Sequence, residues 1–94
     1  MIFVKKYDHG RDKLLAACDE ELLGKELEGF TVSERFYGGE KVTEEEFAEM
    51  LDDCTIANLT GERVINAAKK KGLVRDEGVI RIGGVPHAQV VRMF

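Results

Sequence analysis

Ninety-four residues with 44% hydrophobic and 34% charged side chains describe one soluble globular domain, residues 1–94, too short for two independent cores. The formal net charge of −4 argues against a strongly cationic nucleic-acid binder, and no apolar run reaches the about 18 residues of a membrane span. The N-terminus Met1-Ile2-Phe3-Val4-Lys5-Lys6 puts its apolar residues before its basic ones, the reverse of a secretory signal, so the expected compartment is the cytoplasm.

In chain order, Ile2–Tyr7 reads as a first strand and Asp8-His9-Gly10-Arg11-Asp12 as a turn. Lys13–Cys18 reads as a second strand. Asp19 follows as a cap for a helical turn over Glu20–Leu23 that Gly24 closes. Phe30–Phe36 alternates apolar and polar residues with one slip and predicts a third strand, ended by Gly38-Gly39.

Thr43 with Glu46 three residues on is a capping-box pattern, and Val42 can close on Phe47 across it. Phe47, Met50, Leu51 and Cys54 then give one buried helical stripe. A second helix starts from a Thr60 cap, with Leu59 and Val64 flanking it and Val64, Ile65 and Ala68 facing the core. Cys54–Thr60 is read as the loop between the two helices. Lys69-Lys70-Lys71 fill the last turn, where cations suit the helix dipole, and Gly72 stops it. Leu73-Val74, Val79–Ile82 and Ala88–Met93 read as short strands, the last two joined across Gly83–His87. The expected fold is therefore α+β: a small, mainly antiparallel sheet with two consecutive helices packed on it. Two helices followed by a hairpin also resemble part of a winged helix-turn-helix.

Charge is split along the chain. Residues 1–60 carry a net −8 and residues 61–94 a net +4, so the halves either neutralise each other or leave a face for a polyanion. Lys69, Lys70, Lys71, Arg75, Arg81 and Arg92 are the candidate phosphate contacts. Two diglycine segments are the candidate ligand loops. Tyr37, Gly38 and Gly39 form one, with an aromatic able to stack a base. Gly83, Gly84, His87 and Gln89 form the other, with glycine N–H groups, an imidazole and an amide. The second segment lacks the spacing of a nucleotide or dinucleotide loop, and no cofactor is expected.

Cys18 and Cys54 belong to no metal or redox motif and read as buried free thiols. Cys18 at a helix N-terminus has one feature of a reactive thiol, which the carboxylates of Asp19-Glu20-Glu21 oppose. Those three carboxylates diverge around a helical turn and cannot share one proton or metal. No catalytic or metal-ligating set emerges.

Four blocks together resemble a known family: Cys18–Lys25, Phe36–Glu40, Ala57–Arg63 and Arg81–Val91. They look like the archaeal domain of unknown function 424, over essentially the whole chain. The resemblance implies a small cytoplasmic archaeal protein and brings no established activity, cofactor or catalytic residue. Members are described as candidate RNA-binding proteins associated with translation. The expected partners are structured RNA or ribosome-associated proteins, with a protein–protein adapter or homodimer as the alternative and a small enzyme around Cys18 or His87 as a third.

Overall fold

The computed structural model describes residues 1–92. Strand β1 (Ile2–His9) turns at Gly10 into β2 (Asp12–Asp19), and the two pair antiparallel from Ile2↔Asp19 to His9↔Asp12. Leu and Ala in β2 favour helix on propensity alone, but this strand is covered on both faces. Leu15 and Ala17 enter one core while Ala16 and Cys18 enter another.

The predicted third strand, Phe30–Phe36, is overturned beyond its first two residues. Only Phe30–Thr31 is extended (β4), paired with Glu26–Leu27 (β3) in a separate ribbon. Ser33 then caps the short helix α1 (Glu34–Tyr37), its Oγ accepting the Phe36 N–H at 3.1 Å. The slip in the alternation is this cap and the polar first turn that follows it.

After α1 the chain adds edge strand β5 (Glu40–Val42) beside β1 and enters α2 (Glu44–Leu51). The capping box forms as expected: Thr43 Oγ1 accepts the Glu46 N–H at 3.1 Å, and Glu46 Oε1 accepts the Thr43 N–H at 2.9 Å. Phe47 and Leu51 are buried, and Cys54, past the helix end, is buried with them.

The expected loop Cys54–Thr60 is the second correction. Ile56–Thr60 is a strand, β6, paired parallel with β2 and antiparallel with the last strand. Ala57 and Leu59 face the helices, and Asn58 and Thr60 the opposite side, which is the period of two that a strand requires. The two longer helices are therefore separated by a strand, and the expected helix-turn-helix arrangement is not formed among the described residues. The cap position of α3 (Glu62–Lys70) belongs to Gly61 rather than Thr60. Leu73-Val74 is not a strand, though Val74 is buried. Strands β7 (Ile80–Ile82) and β8 (Val85–Val91) close the sheet. Pro86 and His87 thus lie within a strand, and Met93 falls outside the described residues.

The sheet order is β5-β1-β2-β6-β8-β7, with only the β2–β6 pair parallel. Helices α2 and α3 cover one face, burying Ile2, Val4, Leu15, Leu59, Phe47 and Ile65 among others. Segment 20–39 covers the other face over Ala16 and Cys18 of β2, Thr60 of β6 and His87 of β8, burying its own Val32 and Tyr37. The rest of that face, toward β7 and the end of β8, is more open, with Ile80 58% and Val91 70% exposed. Among the described residues no helix is long and apolar enough to cross a membrane.

Gly61 has no side chain to cap α3, so the cap comes from another strand. Asp19, 3% exposed at the end of β2, accepts the Arg63 N–H on Oδ2 and the Val64 N–H on Oδ1, each at 3.0 Å. Gly61 holds φ +119°, and a Cβ there would fall inside the Asp19 carboxylate. Burial pushes the Asp19 carboxyl up, while the two backbone N–H groups and Arg63 pull it back down. Asp19→Ala is expected to cost about 2 kcal/mol by leaving two helix-terminal N–H groups without an acceptor. Gly61→Ala is expected to destabilise as well, through the strained φ and the clash. Denaturant unfolding should show the double variant losing less than the two single losses combined, because removing Asp19 relieves the clash.

Candidate functional site

The expected phosphate contacts divide between two regions. Lys69, Lys70 and Lys71 end α3, where the exposed carbonyl end of the helix favours cations. Lys69 Nζ lies 2.5 Å from Asp76 and Lys71 Nζ 2.7 Å from Asp52. Arg92 donates to the Leu51 carbonyl at 2.7 Å, so it and Lys71 converge on the C-terminal turn of α2. Arg75 directly precedes Asp76. Arg81 stands apart near the start of α3, donating to Glu62 at 3.0 Å and to the Gly84 carbonyl at 2.9 Å. Lys70 and Arg75 carry no side-chain hydrogen bond or ion pair among the described residues.

The two charge halves do touch. Arg63 bonds Glu21 at 2.5 Å and approaches Asp19 at 3.8 Å, and Lys71 meets Asp52. The guanidinium holds the Glu21 carboxyl below its usual range, as Lys69 does for Asp76. Of the three consecutive carboxylates, Asp19 and Glu21 both reach Arg63, while Glu20 turns away to Lys41 at 2.9 Å.

The two diglycines are not brought into one cleft. A Cβ on Gly38 would strike the Glu34 carbonyl, and one on Gly39 would strike the Val4 carbonyl. Glycine here permits close backbone packing, of Gly38 against α1 and of Gly39 against β1. Gly83 and Gly84 take φ +57° and +80° in the two-residue turn between β7 and β8, the geometry of a hairpin turn that only glycine adopts cheaply. Gln89 is exposed on β8, opposite Asn58 in register.

Tyr37 and His87 do meet, through a residue that sequence reasoning assigned to a helix cap. The Tyr37 hydroxyl contacts Asn58 Oδ1 and lies 3.1 Å from Thr60 Oγ1, which lies 2.9 Å from His87 Nδ1. Each hydroxyl has one proton, so a consistent set of donors runs one way. His87 Nδ1–H donates to Thr60, Thr60 to Tyr37, and Tyr37 to Asn58. This accounting selects the Nδ1–H tautomer of His87. Tyr37 is 2% and His87 6% exposed, so the Tyr37 ring is not available to stack a base, and Phe30 packs edge-on to His87 at 5.5 Å.

Burial raises the Tyr37 hydroxyl and lowers the His87 imidazole. It also pushes the neighbouring Cys18 thiol up to about 12, helped by Asp19 and Glu21. A thiol held there stays protonated at neutral pH, the opposite of a reactive cysteine. Cys18 and Cys54 are both buried and unbonded to each other, on opposite faces of the sheet.

Sequence reading missed Asp19 as the cap of α3, and Asn58 and Thr60 as chain members. The alternation in Ile56–Thr60 marked the strand, and a glycine at the cap position marked a helix that takes its acceptor from elsewhere. A cavity of about 520 Å³ beside the α2 C-terminus was not anticipated either. Its walls mix Lys6, Lys13, Asp8 and Asp53 over Leu15 and Cys54, so it carries no net charge.

A family model described as "Protein of unknown function (DUF424)" matches residues 7–93. No curated protein matches the chain. Among solved structures, the crystal structure of an uncharacterized conserved protein from Methanopyrus kandleri is similar, with a TM-score of 0.79 and 27% identity. The similarity covers 99% of this chain and 94% of that one.

His87 gives a pH dependence with a definite sign. Its folded pKa lies below the ordinary 6.5, so the unfolded chain binds the proton more readily, and stability falls as pH drops through 6.5. Unfolding midpoints at pH about 7.5 and about 5.5 should show His87→Gln losing less on acidification than the natural chain.

Proposed function

We propose that this chain, which belongs to the DUF424 family, is a cytoplasmic binding module that docks on structured RNA or a ribonucleoprotein linked to translation. The observation that carries the reading is the gathering of Lys69, Lys70, Lys71, Arg75 and Arg92 around the C-terminal ends of α2 and α3. The pairs Lys69–Asp76 and Lys71–Asp52 join partly or fully exposed side chains. Such solvent-screened pairs are weak, and a phosphate can displace the carboxylate from either lysine. Lys70 and Arg75 have no partner to give up among the described residues.

Asp52 and Asp76 limit the strength of the contact and favour a partner that presents several phosphates at once. Tyr37 and His87 act in this reading as the frame that holds β6 and β8 under α1, not as stacking groups. Arg81, tied to Glu62 away from the cluster, takes no part.

Binding to labelled transfer and ribosomal RNA between about 50 and about 300 mM salt tests the reading. Affinity is expected to fall steeply with salt, and Lys69→Ala/Lys70→Ala/Lys71→Ala to weaken it at least about tenfold with a flatter slope. Unchanged affinity in that triple variant overturns the assignment.

A protein partner is the second reading. It is favoured by Ile80 and Val91, two large apolar side chains left exposed on the open half of the sheet.

A further inference from the structure

Among the described residues, strand β7 is an edge of the six-stranded sheet and pairs only with β8. Its register fixes which backbone groups point outward. The two-residue turn at Gly83-Gly84 makes Ile82↔Val85 the closing pair, with its N–H and C=O groups bonded across the hairpin. The next pair, Arg81↔Pro86, is then of the non-hydrogen-bonded kind, which suits Pro86 because it has no N–H to donate. The Arg81 N–H and C=O therefore face the open edge, while Ile80 and Ile82 turn theirs inward.

The sequence Ile80-Arg81-Ile82 reads the same in both directions. Antiparallel pairing of two such strands about a two-fold axis at Arg81 lets each Arg81 N–H donate to the other's C=O. The same pairing sets Ile80 opposite Ile82 of the second copy on the open face, where Ile80 is 58% exposed. On the helix-covered face each Arg81 already bonds Glu62 at 3.0 Å. Two arginines and two glutamates would gather about the axis with no net charge, so the surface is complementary to itself.

We propose that a second copy of this chain occupies the β7 edge, joining the two sheets antiparallel about a two-fold axis at Arg81. The proposal rests on the protein-partner reading and is independent of the RNA-binding end of the molecule. A three-residue edge buries less than the roughly 1,200 Å² of a stable interface, so the pair forms only at high concentration.

Sedimentation equilibrium from about 10 µM to about 1 mM tests it. The average mass is expected to rise from 10.5 kDa toward twice that value. Arg81→Pro removes the side-chain bonds to Glu62 and Gly84 together with an N–H that no described residue accepts; amide spectra verify that the hairpin persists, and the chain is expected to stay monomeric. Glu62→Arg sets like charges about the axis and is expected to abolish the dimer, with Glu62→Arg/Arg81→Glu restoring it. A mass that stays at 10.5 kDa throughout overturns the proposal and leaves the edge to a strand of a different protein. Equal association by a folded Arg81→Pro variant overturns it too. Neither outcome touches RNA binding, which is read on the lysine variants.

Discussion

A buried carboxylate at the end of β2 joins the two halves of this molecule. Asp19 is carried into place by the β1–β2 hairpin, and its two oxygens complete the first turn of a helix more than forty residues later. The positive end of α3 draws the charge, and the two backbone N–H groups offset part of the cost of burying it. Gly61 is the steric condition for this contact. Any side chain there would occupy the space of the carboxylate, so the helix must begin without a cap of its own. With α3 fixed against β2, strand β6 is delivered parallel to β2, and β8 and β7 follow across it.

Where the sequence states its own local chemistry, the structure is legible from it. Thr43 and Glu46 supply both halves of a capping box, so the start of α2 needs no information from elsewhere. The buried thiols are legible for the same reason, as is the existence of the last hairpin, though its turn is Gly83-Gly84 alone and not the Gly83–His87 segment expected. Two other segments carry a signal that competes with a stronger neighbour. Phe30–Phe36 alternates like a strand until Ser33 offers its hydroxyl to Phe36, and a local cap prevails over a pattern with no partner to pair with. Ile56–Thr60 alternates correctly but is framed by Cys54 at one helix end and a glycine at the next. The partner that makes it a strand is β2, forty residues earlier. The role of Asp19 was hidden more completely. A carboxylate preceding a helical turn looks like the cap of that turn, whereas here its side chain makes no bond to it.

The functional residues divide along the same line. The cations at the end of α3 were visible as a run, and what the structure adds is Arg92 drawn beside them by the C-terminal turn of α2. It also adds the aspartates that share them, which the charge totals of the two halves could not locate. Tyr37 and His87 were singled out for their chemistry and turn out to be neighbours, but through Thr60 and inside the protein. Their hydrogen bonds run in one direction and hold α1, β6 and β8 at fixed spacing. Their bonds keep the second face of the sheet covered at one end, while Ile80 of β7 and Gln89 and Val91 of β8 stay exposed.

The distance in sequence between Asp19 and the helix it caps bears on how stability is shared along the chain. A nine-residue helix with a glycine at its cap is too short to persist alone in water. The β1–β2 hairpin and the capping box of α2 draw on neighbours in sequence, but the cap of α3 exists only where β2 and β6 are aligned. The start of α3 and the parallel strand pair are thereby coupled in stability, and a change that loosens one loosens the other.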